Sequence, residues 1–169
     1  DQWITRDYWK RHGLGRGPAT IPPADEKRVA GLDRRVPPAG RPWVTVRDAI
    51  SGLGEPNGEN NHVFQQGARR YPGHTGSALD LPSKALKAGD HGVPGGENMM
   101  VLEDDSVRYF TMREAARLVG LPDGYSFPRS WTESMRQLGN AVPVPLGEAI
   151  GKHLASILRQ AQHFRSRAA

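Results

Sequence analysis

The clearest periodic pattern of apolar positions lies near the C-terminus of the chain. From Leu146 to Ala161 an apolar residue recurs every three or four positions, which predicts one long helix with a single apolar stripe. The stripe consists of Leu146, Ile150, Leu154, Ile157, Leu158 and Ala161. Gly147 and Gly151 lie beside it, where the lack of a side chain would let another element approach closely. We therefore expect this helix to pack through its stripe.

Two shorter helices are predicted before the long one. Thr111 can cap the first, and Glu114 can reach back to the N–H of the cap residue, which is the capping-box pattern. Gly120 stands where a left-handed C-terminal stop is needed. Thr132 is predicted to cap the second helix and Gly139 to end it.

Strand-like patterns are short and separated by long polar stretches. Residues 43–54 predict a short strand that runs into a helix capped by Thr45. Two apolar runs on either side of residues 103–106 predict a hairpin, and residues 83–88 resemble a short strand. Together these patterns predict an α+β fold with short, irregular strands and long loops.

The N-terminal part carries less pattern. Residues 1–14 combine three large aromatic residues with charges, which favours a surface helix or turn held down by its aromatic side chains. Residues 15–42 are rich in Gly, Pro and Arg without periodicity, and we expect an extended linker with one short helical turn.

Composition narrows the classes of function. Only 37% of the 169 residues are hydrophobic, while 20 are glycine and 14 proline, so we expect a modest core and many loops. The formal net charge of +5 favours polyanionic partners, nucleic acid above all. A basic surface with no partner remains an equal alternative on charge alone.

Several classes of site are excluded or disfavoured. The chain has no cysteine, so it contains no disulfide, no thiolate zinc site and no cysteine nucleophile. His62, His74 and His91 lack metal-ligand spacing, so no metal is expected. No apolar run approaches the length of a membrane span, no signal-peptide pattern opens the chain, and we expect a cytoplasmic, nucleoid-associated protein. The lack of an initiator Met suggests an excised or processed segment.

Candidate DNA contacts lie in the middle of the chain. Residues 55–70 are polar, and the side chains of Asn, Gln and Arg can make bidentate contacts to base edges. A loop without any contact has the same composition, which leaves both interpretations open. The candidate DNA-binding residues are Arg69, Arg70, Lys84, Lys87 and His91.

Two motifs carry a family resemblance. The run RYFTMREAARL is followed by Pro122-Asp123-Gly124-Tyr125, and QLGNAVP follows after a short gap. These stretches resemble, in order and spacing, the last two sequence motifs of DNA cytosine-5 methyltransferases. Residues 71–98 are similar to the target-recognition core of that family, although Ala85 stands where the family usually has threonine.

The resemblance implies a place for each part of the chain. Residues 1–42 would be an N-terminal segment and linker, and residues 43–128 the target-recognition domain with the hairpin and the ninth-motif helix. Residues 129–169 would be the final motif and the C-terminal helix of the catalytic domain. The stripe of the last helix would then dock on a missing Rossmann-like catalytic domain.

The resemblance also implies a chemistry that this chain cannot complete. The family adds a cysteine thiolate to carbon 6 of a flipped cytosine, and carbon 5 then takes the methyl group of S-adenosylmethionine. The Gly-rich cofactor loop, the Pro-Cys pair and the Glu-Asn-Val stretch of the family are absent from this sequence. We therefore expect no catalytic residue in this chain and no activity from it alone.

Two further roles are implied by the motifs. Asn140 and Ala141 would line the S-adenosylmethionine pocket, with an ordinary helix-capping role as the alternative for Asn140. Scaffold ion pairs are expected from the ninth-motif helix, which would brace the recognition domain. The residues of this brace are Arg108, Arg113, Glu114 and Arg117.

The function expected from these features is a part of a DNA cytosine-5 methyltransferase. The chain would be a fragment or the small subunit of a split enzyme of restriction–modification type. Its partners would be double-stranded DNA and the catalytic half. The alternative is a stand-alone DNA-binding module that has lost methyl transfer.

Overall fold

The computed structural model describes residues 2–3, 5–15, 26–31, 40–88 and 96–168 of the chain. Two compact units divide it, Asp1–Trp43 and Val44–Ala169. Within the described residues, none of the helices is both long and apolar enough to cross a membrane.

The first unit contains two short helices, α1 (Asp7–Arg11) and α2 (Glu26–Ala30). Tyr8 is fully buried, and its ring lies 5.9 Å from that of Trp3 and 5.0 Å from that of Trp9. The expected short helix held by aromatic side chains is therefore confirmed. In the expected linker the predicted helical turn is α2, and most of the remaining linker lies outside the described residues.

The second unit is built on a three-stranded sheet of β1 (Ser77–Ala78), β2 (Met99–Val101) and β3 (Val107–Tyr109). Strand β1 pairs with β2 in parallel, and β2 pairs with β3 antiparallel. The hairpin predicted around residues 103–106 is confirmed, and Asp105 takes the left-handed conformation its turn requires (φ 66°). The result is a small domain of helices and short strands, as the pattern predicted.

Two predicted strands are wrong. Residues 43–44 form no strand, because Trp43 and Val44 are exposed and no described strand runs beside them. Residues 83–88 are irregular because side chains take the place of a neighbouring strand. The Lys84 N–H donates to the Ser77 hydroxyl at 3.1 Å, and the Lys87 N–H donates to the Asn98 side chain at 3.3 Å.

Four helices complete the second unit: α3 (Val46–Ile50), α4 (Met112–Leu118), α5 (Trp131–Asn140) and α6 (Val144–Ala168). Thr111 and Glu114 form the predicted capping box of α4, and Thr45 caps α3 in the same way with Asp48. Gly120 follows the end of α4 with φ +80°, as expected for a left-handed stop.

The predicted ends of α5 are wrong. Ser130, not Thr132, caps the helix, because its hydroxyl accepts the Glu133 N–H at 3.3 Å. Gly139 does not end the helix, which continues through Asn140. Gly139 is instead required by packing: a Cβ there would overlap the backbone nitrogen of Ala88 and lie 2.6 Å from the carbonyl carbon of Lys87.

The core lies between the helices α3, α4 and α5 and the hairpin. Its buried apolar side chains are Val46, Met100, Phe110, Met112, Ala115, Ala116, Val119, Phe127, Met135 and Leu138. Helix α6 contributes none of them. The apolar stripe predicted on α6 is present, and it is exposed to solvent: Ile150 is 49% and Leu154 55% exposed.

Candidate nucleotide and cofactor site

A cavity of about 340 Å³ lies where the loop of residues 83–86 meets the ends of helices α4 and α5. It brings together Lys84, a candidate DNA contact, and Ala141, a candidate cofactor contact. The residues lining the cavity are Ser83, Lys84, Ala85, Leu86, Leu118, Val119, Leu138, Gly139, Ala141 and Pro143. Most are small or apolar, so the cavity has an apolar floor with one cationic residue.

Two glycines allow the walls of this cavity to approach one another. Gly139 brings the last turn of α5 against the backbone of residues 87–88, as described above. A Cβ on Gly120 would lie 2.5 Å from the Cδ of Pro145, and the positive φ of Gly120 would strain any other residue. The cavity thus depends on two positions where only glycine fits.

The two residues of the final motif differ in their relation to the cavity. Ala141 lines it, and the backbone N–H of Ala141 donates to the carbonyl of Leu138 at 3.1 Å. Asn140 is exposed at the last residue of α5 and is not among the lining residues. Its side chain has no hydrogen-bond partner among the described residues. The capping alternative for this side chain is therefore wrong: the Ala141 backbone closes the helix.

The Arg108 and Glu114 side chains form a buried bidentate ion pair. The two guanidinium nitrogens lie 2.7 and 2.6 Å from the two carboxylate oxygens, and Glu114 is 1% exposed. One of these oxygens also accepts the Thr111 N–H at 2.8 Å. A single carboxylate therefore joins strand β3 to the first turn of α4.

Arg113 is fully buried and makes a different set of contacts from the one expected. Its guanidinium donates to the carbonyls of Asn60, Pro122 and Tyr125 and to the Asn60 side chain, at 2.7 to 3.2 Å. It makes no carboxylate contact among the described residues, so the expectation of an ion pair is wrong for this residue. The guanidinium fork instead neutralises carbonyl dipoles of two loops.

Arg117 completes the set on α4. It donates to both carboxylate oxygens of Asp123, at 2.8 and 2.6 Å, and to the Ser51 carbonyl at 2.7 Å. Its hydrogen bond lowers the pKa of the Asp123 carboxyl. These contacts tie the end of α3 and the loop after α4 to the same helix.

Three of the candidate DNA contacts are held by neighbours. Arg70 donates to both oxygens of Asp105, at 2.9 and 2.8 Å, and Lys87 lies 2.9 Å from Glu97. Lys84 donates through Nζ to the neutral hydroxyl of Thr75 at 2.7 Å. Lys84 is therefore the most readily available cation of the three. Arg69 is exposed, and His91 lies outside the described residues.

Three residues important for the site were missed by sequence reasoning. Asn60 and Asn61 have positive φ, and their side-chain amides donate to the carbonyls of Asp123 and Phe127 at 2.7 and 3.1 Å. His62 is buried, with Nδ1 2.8 Å from the Thr111 hydroxyl. Adjacent asparagines before a histidine suit a left-handed turn, which was the available signal.

Comparison with known proteins gives a consistent result. Residues 39–156 match the family model described as C-5 cytosine-specific DNA methylase. The chain is 35% identical over 131 residues to DNA (cytosine-5)-methyltransferase CMT2 of Oryza sativa subsp. japonica, covering 75% of this chain and 9% of the relative.

Other relatives match over shorter stretches. DNA (cytosine-5)-methyltransferase 1 of Mus musculus is 45% identical over 58 residues, which is 34% of this chain and 4% of the relative. DNA (cytosine-5)-methyltransferase 2 of Arabidopsis thaliana is 42% identical over 65 residues, 38% of this chain and 4% of the relative. The chain thus spans less than a tenth of the length of these curated relatives. No solved structure matches it.

Proposed function

This chain belongs to the C-5 cytosine-specific DNA methylase family, and we propose that it is the C-terminal, DNA-recognising part of a DNA cytosine-5 methyltransferase that uses S-adenosylmethionine. The observation that carries the proposal is the cavity of about 340 Å³, which Lys84 and Ala141 line together. A surface for DNA and a wall for the cofactor would have to lie side by side in such an enzyme. That arrangement supports the proposal over a role in DNA binding alone.

The cavity suits part of a small-molecule ligand. Its volume falls at the lower end of the range of roughly 300–1,000 Å³ that is usual for such sites. The small residues Gly139 and Ala141 let a ligand approach the backbone, and Leu138 supplies apolar contact. The cofactor would supply the methyl group. In this proposal Ala141 shapes its pocket, while the exposed amide of Asn140 is able to donate and accept hydrogen bonds.

The DNA-facing role rests on charge and on the availability of cations. Lys84 can exchange a neutral hydroxyl for a phosphate at little cost, whereas Arg70 and Lys87 must share or leave a carboxylate. We propose that Lys84 contributes most to phosphate binding, with Arg69, Arg70, Lys87 and His91 in supporting roles. Neutralised phosphates release counterions, so binding would weaken as salt rises.

The catalytic nucleophile must come from outside this sequence, which has no cysteine. The exposed stripe of α6 is the proposed docking surface for the part that carries it. A fully buried side chain of the size of Leu or Ile contributes roughly 1.5–3 kcal/mol, so covering several of them would give a stable interface. That part could be continuous with this chain or a separate subunit, and the restriction–modification type remains a prediction.

The decisive experiment combines the chain with a catalytic part that carries the Pro-Cys and Glu-Asn-Val motifs. Duplex DNA and labelled S-adenosylmethionine are supplied, and label at carbon 5 of cytosine is measured. We expect label only when both parts are present. Sequence-specific DNA binding without any methyl transfer by the combined parts would favour the alternative of a stand-alone DNA-binding module. Methyl transfer by this chain alone would contradict the proposal.

A further inference from the structure

Residues 71–74 form a tight turn with the sequence Tyr-Pro-Gly-His. The His74 N–H donates to the Tyr71 carbonyl at 2.8 Å, and the Tyr71 N–H donates back at 3.4 Å. Proline at the second position and glycine with φ +81° at the third are typical of a type II turn. The proline and the paired hydrogen bonds fix the backbone, so the positions of the two flanking side chains are fixed as well.

These two flanking side chains stack on each other. The ring centroids of Tyr71 and His74 are 4.1 Å apart, with 28° between the ring planes. Tyr71 nevertheless remains 41% exposed. A tyrosine held at one side and exposed over two fifths of its surface offers a flat aromatic group with little conformational entropy left to lose.

A carboxylate supports the imidazole from behind. Glu97 Oε2 lies 3.8 Å from the Nδ1 of His74, is buried, and has no hydrogen-bond partner among the described residues. Its other oxygen accepts from Lys87 at 2.9 Å, and this hydrogen bond lowers the pKa of the Glu97 carboxyl. The turn is therefore supported by a group that stays ionised and favours the protonated, cationic form of the ring.

Cationic side chains flank the turn. Arg69 stands two residues before Tyr71, and Lys84 donates to the hydroxyl of Thr75, one residue after His74. Burial raises the pKa of Tyr109, with further effects from the nearby Tyr71 and Arg69, which places these side chains in one neighbourhood. A rigid aromatic group among cations is the combination with which proteins bind unpaired nucleotides: cations follow the backbone and rings stack on bases.

We propose that Tyr71, backed by His74, stacks on the face of an unstacked nucleobase in bound DNA. This inference rests on the proposed function, because that function supplies DNA as the partner. It adds a contact that is independent of phosphate charge and of base-edge hydrogen bonds. The Tyr71–His74 pair would therefore contribute affinity for opened DNA without choosing among base sequences.

The test uses the full chain and two duplexes that differ at one position. In one, a 2-aminopurine lies opposite an abasic site, where it is free to unstack; in the other, it is paired with thymine. Affinity and 2-aminopurine fluorescence are measured over a range of salt concentrations. The variants are Tyr71→Ala, Tyr71→Leu and Tyr71→Trp. Tyr125→Ala is the matched control, since Tyr125 is similarly exposed, at 50%, on a different loop.

Loss of the aromatic face should weaken binding to the duplex with the abasic site about five- to a hundredfold in Tyr71→Ala and Tyr71→Leu, as is usual for a lost base–aromatic stack. Binding to the paired duplex should change much less, and the slope of log affinity against log salt should stay the same. Tyr71→Trp and Tyr125→Ala should behave like the unmodified chain. Tyr71→Leu keeps apolar bulk, so it remains informative if Tyr71→Ala lowers stability.

Three outcomes would overturn the inference. Equal affinity of Tyr71→Leu and Tyr71→Trp for the duplex with the abasic site would exclude stacking, as would fluorescence that does not respond to the unmodified chain. A reduced salt slope in Tyr71→Ala would mean that the residue positions a phosphate contact instead. If the unmodified chain binds neither duplex, DNA recognition fails as a function, and this failure is distinct from a failure of stacking alone.

Discussion

Substitution of Glu114 by glutamine should destabilise the second unit far more than any surface charge change. Glu114 pairs with Arg108 through both oxygens and also accepts the Thr111 N–H, and it is 1% exposed. Glutamine keeps the shape and one acceptor, but it turns an amide N–H₂ toward the guanidinium and leaves the Arg108 charge buried without a counter-charge. Removal of one partner from a buried ion pair costs about 3–5 kcal/mol.

The measurement is urea unfolding of the full chain, followed by circular dichroism. A loss of about 3 kcal/mol corresponds to a fall in melting temperature of roughly 10 °C for a domain of this size. Glu133→Gln is the matched control, because Glu133 pairs with Arg136 at 2.7 Å on an exposed helix surface. Its unfolding curve should superimpose on that of the unmodified chain, since such surface pairs contribute little.

A second variant separates the charge from the packing. Replacing both members, as Arg108→Met with Glu114→Leu, removes the buried charge along with its partner. Apolar replacement of a whole buried pair is often neutral or stabilising, so the double variant should recover much of the stability lost in Glu114→Gln. If Glu114→Gln unfolds at the same urea concentration as the Glu133→Gln control, the proposed brace between β3 and α4 is refuted.

Four other outcomes are expected. Lys84→Ala should flatten the slope of log DNA affinity against log salt by about one counterion; an unchanged slope would place this lysine away from phosphate. Leu154→Asp should abolish association with the catalytic part but leave the melting temperature of the chain unchanged, because the side chain is 55% exposed. Asn140→Ala should weaken S-adenosylmethionine binding in the reconstituted enzyme several-fold to tenfold, as expected for one lost hydrogen bond of about 0.5–1.5 kcal/mol, again without a change in melting temperature. The lowered pKa of Asp123 means that its contribution is complete above the unfolded pKa of about 3.9 and is lost as the pH falls through the lower folded value. Asp123→Asn should therefore reduce the pH dependence of stability below about pH 4.

The features predicted correctly from the sequence are those determined by residues close together in the chain. The capping box of Thr111 and Glu114 needs only three residues of spacing, and the hairpin needs two apolar runs around a polar turn. The stripe of α6 is a periodicity within one helix. Each of these signals is local, so no knowledge of the tertiary structure was required.

The errors arose where distant residues decide the outcome. Residues 83–88 have a strand-like pattern, but the side chains of Ser77 and Asn98 bind their backbone. Ser130 and Thr132 are equally able to cap a helix, and only the path of the preceding loop selects Ser130. The cavity is lined by three separated segments, so the motifs indicated its residues only in part. Asn140, which the resemblance placed in the pocket, is not among its lining residues.

The contacts of Arg113 have a consequence for the motions of the domain. This one buried side chain holds Asn60 in one loop and the carbonyls of Pro122 and Tyr125 in another. Neither loop can leave the helix without stranding the same guanidinium in an apolar interior, so the cheapest fluctuation releases both together. The two loops therefore form a single cooperative opening unit in the sense of native-state hydrogen exchange, although more than sixty residues of chain separate Asn60 from Tyr125.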